Sequence, residues 1–138
     1  LAAAEDGHSV PLAQILEMEL APYGNARVSM TGGPVVLAGK VPSVFSLVVH
    51  ELATNAAKYG ALSGESGSIA ISWREDGEHV ALEWKERGGP PVTPPQKRSF
   101  GTSLIERSLD PFKGSAHLDF APEGIVCRMR LPRALSAA

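Results

Sequence analysis

Between Val49 and Ser63 the chain reads V-H-E-L-A-T-N-A-A-K-Y-G-A-L-S, and no other stretch restricts the fold as much. At about 100° per residue, a helix here gathers Phe45, Val48, Val49, Leu52, Ala56 and Tyr59 into one apolar sector. The same geometry sets Glu51, Asn55 and Lys58 within about 60° of one another, beside that sector instead of opposite it. Val44 and Leu47 continue the polar line toward the N-terminus, so this is not simply a solvated face. Half-buried polar groups are costly unless something satisfies them. A metal-bound polyphosphate would satisfy all three. Asn offers an oxygen to Mg²⁺, Lys a charge to phosphate, and Glu a base or orienting group. The same spacing is also compatible with a partly exposed helix carrying a Glu–Lys pair.

The flanking segments supply the rest of a core. Ser9 or Pro11 opens a helix whose approximate i, i+3, i+4 pattern runs through Leu12, Ile15, Leu16, Met18, Glu19 and Leu20, and Pro22 and Gly24 end it. Ala26–Thr31 reads as a strand with Val28 and Met30 on one face and Arg27 and Ser29 on the other. Val35–Ala38 is a second short strand. Pro42 starts the central helix, which runs to about Tyr59 with Gly60 as its C-cap. Ser68–Arg74 alternates through Ile69, Ile71 and Trp73. His79–Glu86 alternates through Val80, Leu82, Trp84 and Glu86, and an Asp-Gly turn joins the two. Helical character resumes over Gly101–Leu109. A final hairpin pairs Ser115–Phe120 with Ile125–Leu131, where Ile125, Cys127, Met129 and Leu131 face inward. Six strands with clean alternation in the later ones, plus three or four helices, predict an α+β fold. It should be a two-layer sandwich with a mixed, mostly antiparallel sheet and helices on one face.

The 138 residues suit one domain, expected over 10–132, with a linker at 1–9 and a tail at 133–138. Thirteen basic and 15 acidic residues leave a net charge of −2, with no electrostatic reason to expect nucleic acid or an anionic membrane surface. A lone cysteine excludes an intrachain disulfide, and no apolar run is long enough to span a bilayer. These features predict a reducing, cytoplasmic setting. The absence of an initiator Met leads to the expectation of a fragment of something longer.

Two further elements bear on chemistry. Glu86 shares its parity with Val80, Leu82 and Trp84, so it faces the helices. An inward carboxylate at a strand end needs a donor, and an adenine amine is one candidate; an edge residue bending out to water is the other. Trp84 reads as core by the same parity. Beyond Glu86, Arg87–Ser99 holds Gly88, Gly89 and four prolines with almost no apolar side chains, which excludes helix and central strand. The next stretch, Ser99-Phe100-Gly101-Thr102-Ser103-Leu104-Ile105, puts a glycine at a helix start, where free N–H groups and the dipole favour an anion. Thr102 and Ser103 add hydroxyls.

H-E-L-A-T-N-A-A-K-Y-G-A-L-S resembles the N box of sensor histidine kinases of the HWE subfamily. W-K-E-R-G-G-P-P-V resembles that subfamily's G1 box, and F-G-T-S-L-I its G2 box. The likeness spans about Val10 to Leu131 and implies a Bergerat-type (GHKL) ATP-binding fold. It implies that Glu51 is the catalytic acid/base and Asn55 the Mg²⁺ ligand. The implied ATP-binding set is Asn55, Lys58, Tyr59, Glu86, Gly88, Gly89, Gly101, Thr102, Ser103 and Leu104, with Arg87–Ser99 as the ATP lid. His50, Trp84 and Glu86 would be the residues that give the subfamily its letters. His50 lies about 100° from Glu51 on the helix, so a structural hydrogen bond is its leading role. Two departures stand out: Ser99 replaces a glycine, and Phe112-Lys113-Gly114 stands where relatives tend to have Leu-Gly-Gly.

The resemblance further implies ATP and Mg²⁺ as cofactors and an upstream dimerisation domain bearing the acceptor histidine. It also implies a response regulator downstream, and no contact of this domain with nucleic acid or membrane. The competing expectations are an anti-sigma-type serine kinase on the same fold and a docking module that has lost ATP.

Overall fold

The computed structural model describes residues 9–24, 26–92 and 100–134. In chain order they form β1 (Val10–Pro11), α1 (Leu12–Leu20), β2 (Val28–Thr31), β3 (Val36–Leu37), α2 (Val41–Lys58), β4 (Ser68–Asp76), β5 (His79–Arg87), α3 (Phe100–Arg107), β6 (Ser115–Ala121) and β7 (Gly124–Pro132). Short 3₁₀ turns follow α1 and α3. Five strands make the main sheet in the order β2-β4-β5-β7-β6. β2 runs parallel to β4, and every other pairing is antiparallel. The remaining strands, β1 and β3, pair with each other.

Strict alternation decides which face of the sheet is wet. Ile69, Ile71 and Trp73 of β4, Val80, Leu82 and Trp84 of β5, and Cys127, Met129 and Leu131 of β7 are buried. They join Leu12, Leu16, Phe45, Val49 and Leu52 of the helices in one core. Polar residues between them, such as Ser72, Arg74, Arg128 and Arg130, face water. This is the two-layer α+β sandwich the alternation predicts. Cys127 sits within it with its thiol pushed up to about 12 by burial, so it behaves as a small apolar residue. No helix among the described residues is long and apolar enough to cross a membrane.

Several local expectations need correction. Pro11 belongs to the β1 bridge, and α1 begins only at Leu12 without a side-chain cap. Tyr59 falls in the helical core stripe by extrapolation, yet it is 73% exposed. α2 ends at Lys58, and Tyr59 takes φ −130°, which swings it out of helical phase. Met18, Leu47 and Met30 are likewise exposed, so Met18 lies off the buried stripe of α1, and Met30 is exposed because β2 is a short edge strand. Gly60 follows the helix without a left-handed conformation. Its need for glycine is spatial, as shown below. In the β4–β5 hairpin the two central residues are Gly77 and Glu78, with Gly77 at φ 63°, so Asp76 ends the strand instead of forming the turn.

Lys113 is the only non-glycine described residue with positive φ, at 62°. It occupies the middle of Phe112-Lys113-Gly114, the departure from the family pattern noted above. A lysine pays a steric cost there that glycine avoids.

Candidate functional site

α2 presents its polar row to the start of α3. A Cβ placed on Gly101 would stand 2.6 Å from Glu51 Oε2 and 3.8 Å from Asn55 Nδ2. A Cβ at this second residue of α3 would displace the Glu51 carboxylate but meet Asn55 only at ordinary van der Waals distance, so the bare backbone lets Glu51 sit against α3. Glu51 and Asn55 are half-buried, and neither side chain bonds to another described residue. Thr102 is buried, while Ser103 and Leu104 are half-buried on the same first turn. Lys58 lies one turn beyond Asn55 and is exposed, as is Tyr59. So Glu51, Asn55 and Gly101 converge, while Lys58 and Tyr59 are exposed at and just past the end of α2.

His50 points elsewhere. Its Nδ1 lies 3.2 Å from Glu19 Oε1, and Ser46 Oγ donates to Glu19 Oε2 at 2.7 Å. The pair ties α2 to α1, the structural hydrogen bond expected of it.

The second corner is built around Glu86, at the end of β5 and only 3% exposed. Its inward carboxylate was expected to need a donor, and the protein supplies two. Ala61 N–H donates to Oε1 at 3.0 Å, and the Trp84 indole N–H donates to Oε2 at 3.0 Å. The second bond gives W-x-E its physical sense, because residues i and i+2 of a strand share a face. Burial raises the Glu86 carboxyl above its ordinary value, and the Trp84 and Ala61 hydrogen bonds pull it part of the way back. Each oxygen keeps a further lone pair.

Glycines make this corner possible. A Cβ on Gly60 would collide with Glu86 Oε1. One on Gly124, at the start of β7, would collide with the Glu86 carbonyl. Gly88 takes φ 77° and lies against Ser66, and a Cβ on Gly89 would stand 2.8 Å from the Ala61 Cα. Gly88 and Gly89 therefore hold the segment after β5 against the loop after α2. Residues 93–99, which include Ser99 and most of the expected lid, lie outside the described residues.

Sequence reasoning missed Gly60, Ala61, Arg27 and Gly124 as parts of this corner. Gly60 was visible only as a helix stop, and Arg27 only as an outward strand residue. Ala61 contributes through its backbone, for which side-chain chemistry gives no signal.

The donor chemistry fits a magnesium nucleotide. Mg²⁺ keeps several waters and takes one or two protein oxygens plus phosphates. Asn55 offers one such oxygen, half-buried and unpaired among the described residues. No cluster of three or more His, Cys, Asp or Glu capable of holding a metal alone occurs among the described residues.

No family model matches the chain. It is 39% identical over 134 residues to blue-light-activated histidine kinase 1 of Erythrobacter litoralis, covering 92% of this chain and 37% of that protein. It is 36% identical over 136 residues to the blue-light-activated histidine kinase of Brucella anthropi, covering 93% of this chain and 28% of that protein. The chain thus spans about a third of the length of these relatives. Among solved structures, a mycobacterial sensor histidine kinase, MprB, superposes with a TM-score of 0.73 at 19% identity, covering 94% of this chain and 99% of that one. The catalytic domain of the histidine kinase ThkA does so with a TM-score of 0.67 at 14% identity, covering 94% and 99%.

Proposed function

We propose, from the premise that this chain is a histidine-kinase catalytic domain by sequence kinship and fold, that it binds ATP with Mg²⁺ and delivers the γ-phosphoryl group to a histidine on another domain. The observation that carries the proposal is the convergence of Glu51 and Asn55 on the bare backbone of Gly101. An acid, a carboxamide and a helix start meet where a polyphosphate could be held.

Magnesium, when bound, would supply the positive charge that neutralises charge developing on the transferred phosphoryl group. Asn55 would supply its protein oxygen. The first turn of α3, with Gly101, Thr102 and Ser103, would hold phosphate oxygens by backbone N–H and hydroxyl donors. Lys58 would add a mobile positive charge. Glu51 would orient the incoming imidazole and take its proton. Glu86 would bind the adenine amine through a lone pair left over from its two internal bonds. Gly88 and Gly89 would let the backbone approach the base, and Tyr59 and Leu104 would border the nucleotide. The partners of this reading are an upstream dimerisation domain carrying the acceptor histidine and a response regulator. Its setting is the cytoplasm.

Isothermal calorimetry of the chain with ATP and Mg²⁺ tests it. Binding heat is expected in the native chain and its loss in Asn55→Ala. A native chain that releases no heat refutes the proposal. The serine-kinase alternative is separated by phosphate chemistry: acid-labile phosphate should appear on a supplied histidine-bearing domain, not phosphoserine.

A further inference from the structure

Arg27, just before β2, donates to three backbone carbonyls of one loop. Its Nε bonds Gly67 O at 2.8 Å, and its Nη2 bonds Ala61 O at 2.8 Å and Gly64 O at 2.5 Å. It forms no ion pair with a described residue. A guanidinium that spends its planar fork on carbonyls, not on a carboxylate, fixes a loop shape instead of balancing a charge. The loop it fixes carries Ala61, whose N–H holds Glu86 Oε1. Ala61 is also crowded by Gly67 and Gly89, so it has little room to move while the guanidinium stays in place.

We infer that Arg27 is a positioning residue that sets the orientation of the Glu86 carboxylate, and through it the preference of the site for adenine over guanine nucleotides. The inference rests on the assignment of Glu86 to the base. Adenine presents an amine where guanine presents a carbonyl oxygen. A carboxylate held in place by Ala61 and Trp84 attracts the first and repels the second. Once Ala61 is released, the carboxylate can rotate and the discrimination blurs.

The test measures ATP and GTP dissociation constants, with Mg²⁺, for the native chain, Arg27→Met and Arg27→Lys. It also records the Trp84 indole ¹H–¹⁵N resonance, assigned by its persistence in Trp73→Phe. For Arg27→Met the ATP constant should rise roughly tenfold, as for loss of hydrogen bonds to a charged group. The GTP constant should change little, so the ratio narrows, and the Trp84 indole resonance should move. Arg27→Lys should fall between, because an ammonium reaches fewer carbonyls at once. When a histidine-bearing domain is supplied, transfer at saturating ATP should stay within about twofold of native while KM rises.

An unchanged ATP/GTP ratio with an unmoved Trp84 resonance overturns the inference and leaves Arg27 as a loop fastener. If Arg27→Met does not fold, the same criteria applied to Arg27→Lys decide. If the native chain binds neither nucleotide, the ATP proposal fails by itself. The Trp84 resonance then decides whether Arg27 orients Glu86.

Discussion

Replacing Gly60 with alanine should be costly for a reason the backbone does not reveal. Gly60 has no left-handed conformation, so alanine is sterically allowed and should gain about 0.4–1 kcal/mol through the unfolded chain. Against this, the new methyl collides with Glu86 Oε1 and stands 3.1 Å from the Ala56 Cα. Overpacking of this kind costs about 1–3 kcal/mol. The displaced carboxylate would also desert Ala61 N–H or the Trp84 indole, and a hydrogen bond to a charged group is worth about 1.5–3 kcal/mol. The expected net loss is about 1.5–5.5 kcal/mol, measured by urea denaturation of the 138-residue chain. A double-mutant cycle isolates the cause. With Glu86→Ala already present the methyl has no carboxylate to displace, so Gly60→Ala should cost at least about 1 kcal/mol less. A loss below about 0.5 kcal/mol, or equal losses in both backgrounds, would refute the crowding of Gly60 against Glu86.

Three other outcomes follow from the same structure. Because burial raises the folded Glu86 carboxyl above 4.5, its contribution to stability is full below that value and is lost as pH rises through the folded value. The native chain should therefore lose stability relative to Glu86→Gln as pH climbs from 4.5 upward through the raised folded value, and denaturation across that series would expose a flat difference as contradictory. Glu51→Ala should keep nucleotide binding by calorimetry but lose phosphoryl transfer to a supplied histidine domain; equal loss of both would remove Glu51 from the chemistry. Lys113→Gly should stabilise the chain by about 0.5–1 kcal/mol by relieving the left-handed backbone, and a destabilisation in thermal melts would count against that strain.

Much of the fold was legible because a sheet with one wet face writes its parity into the sequence. Each inward residue of β4 and β5, from Ile69 to Glu86, follows from alternation alone. Legibility fails where an element ends or is thin. Tyr59 obeyed the helical period one residue past the last helical turn, and Met30 obeyed strand parity on a four-residue edge strand that cannot cover it. The site divides in the same way. Glu51, Asn55 and Gly101 were visible because helical spacing and a glycine in the first turn of a helix are local signals. The bonds from Arg27 to Ala61, and from Ala61 to Glu86, link residues 34 and 25 positions apart. They run partly through backbone atoms, whose identity is the same in every residue, so no pattern of side chains announces them.

The corner around Glu86 draws on Arg27, Gly60 and Ala61, the end of β5, and Gly124 at the mouth of β7. Contributors so scattered along the chain meet only where β5 lies closed between β4 and β7. If the corner takes adenine as proposed, a purine could find no half-made version of it on a partly assembled molecule. Nucleotide would then act as an inspector of completed assembly, adding its binding free energy to the finished state alone. Fluorescent nucleotide uptake during refolding would accordingly time the last step, not the first.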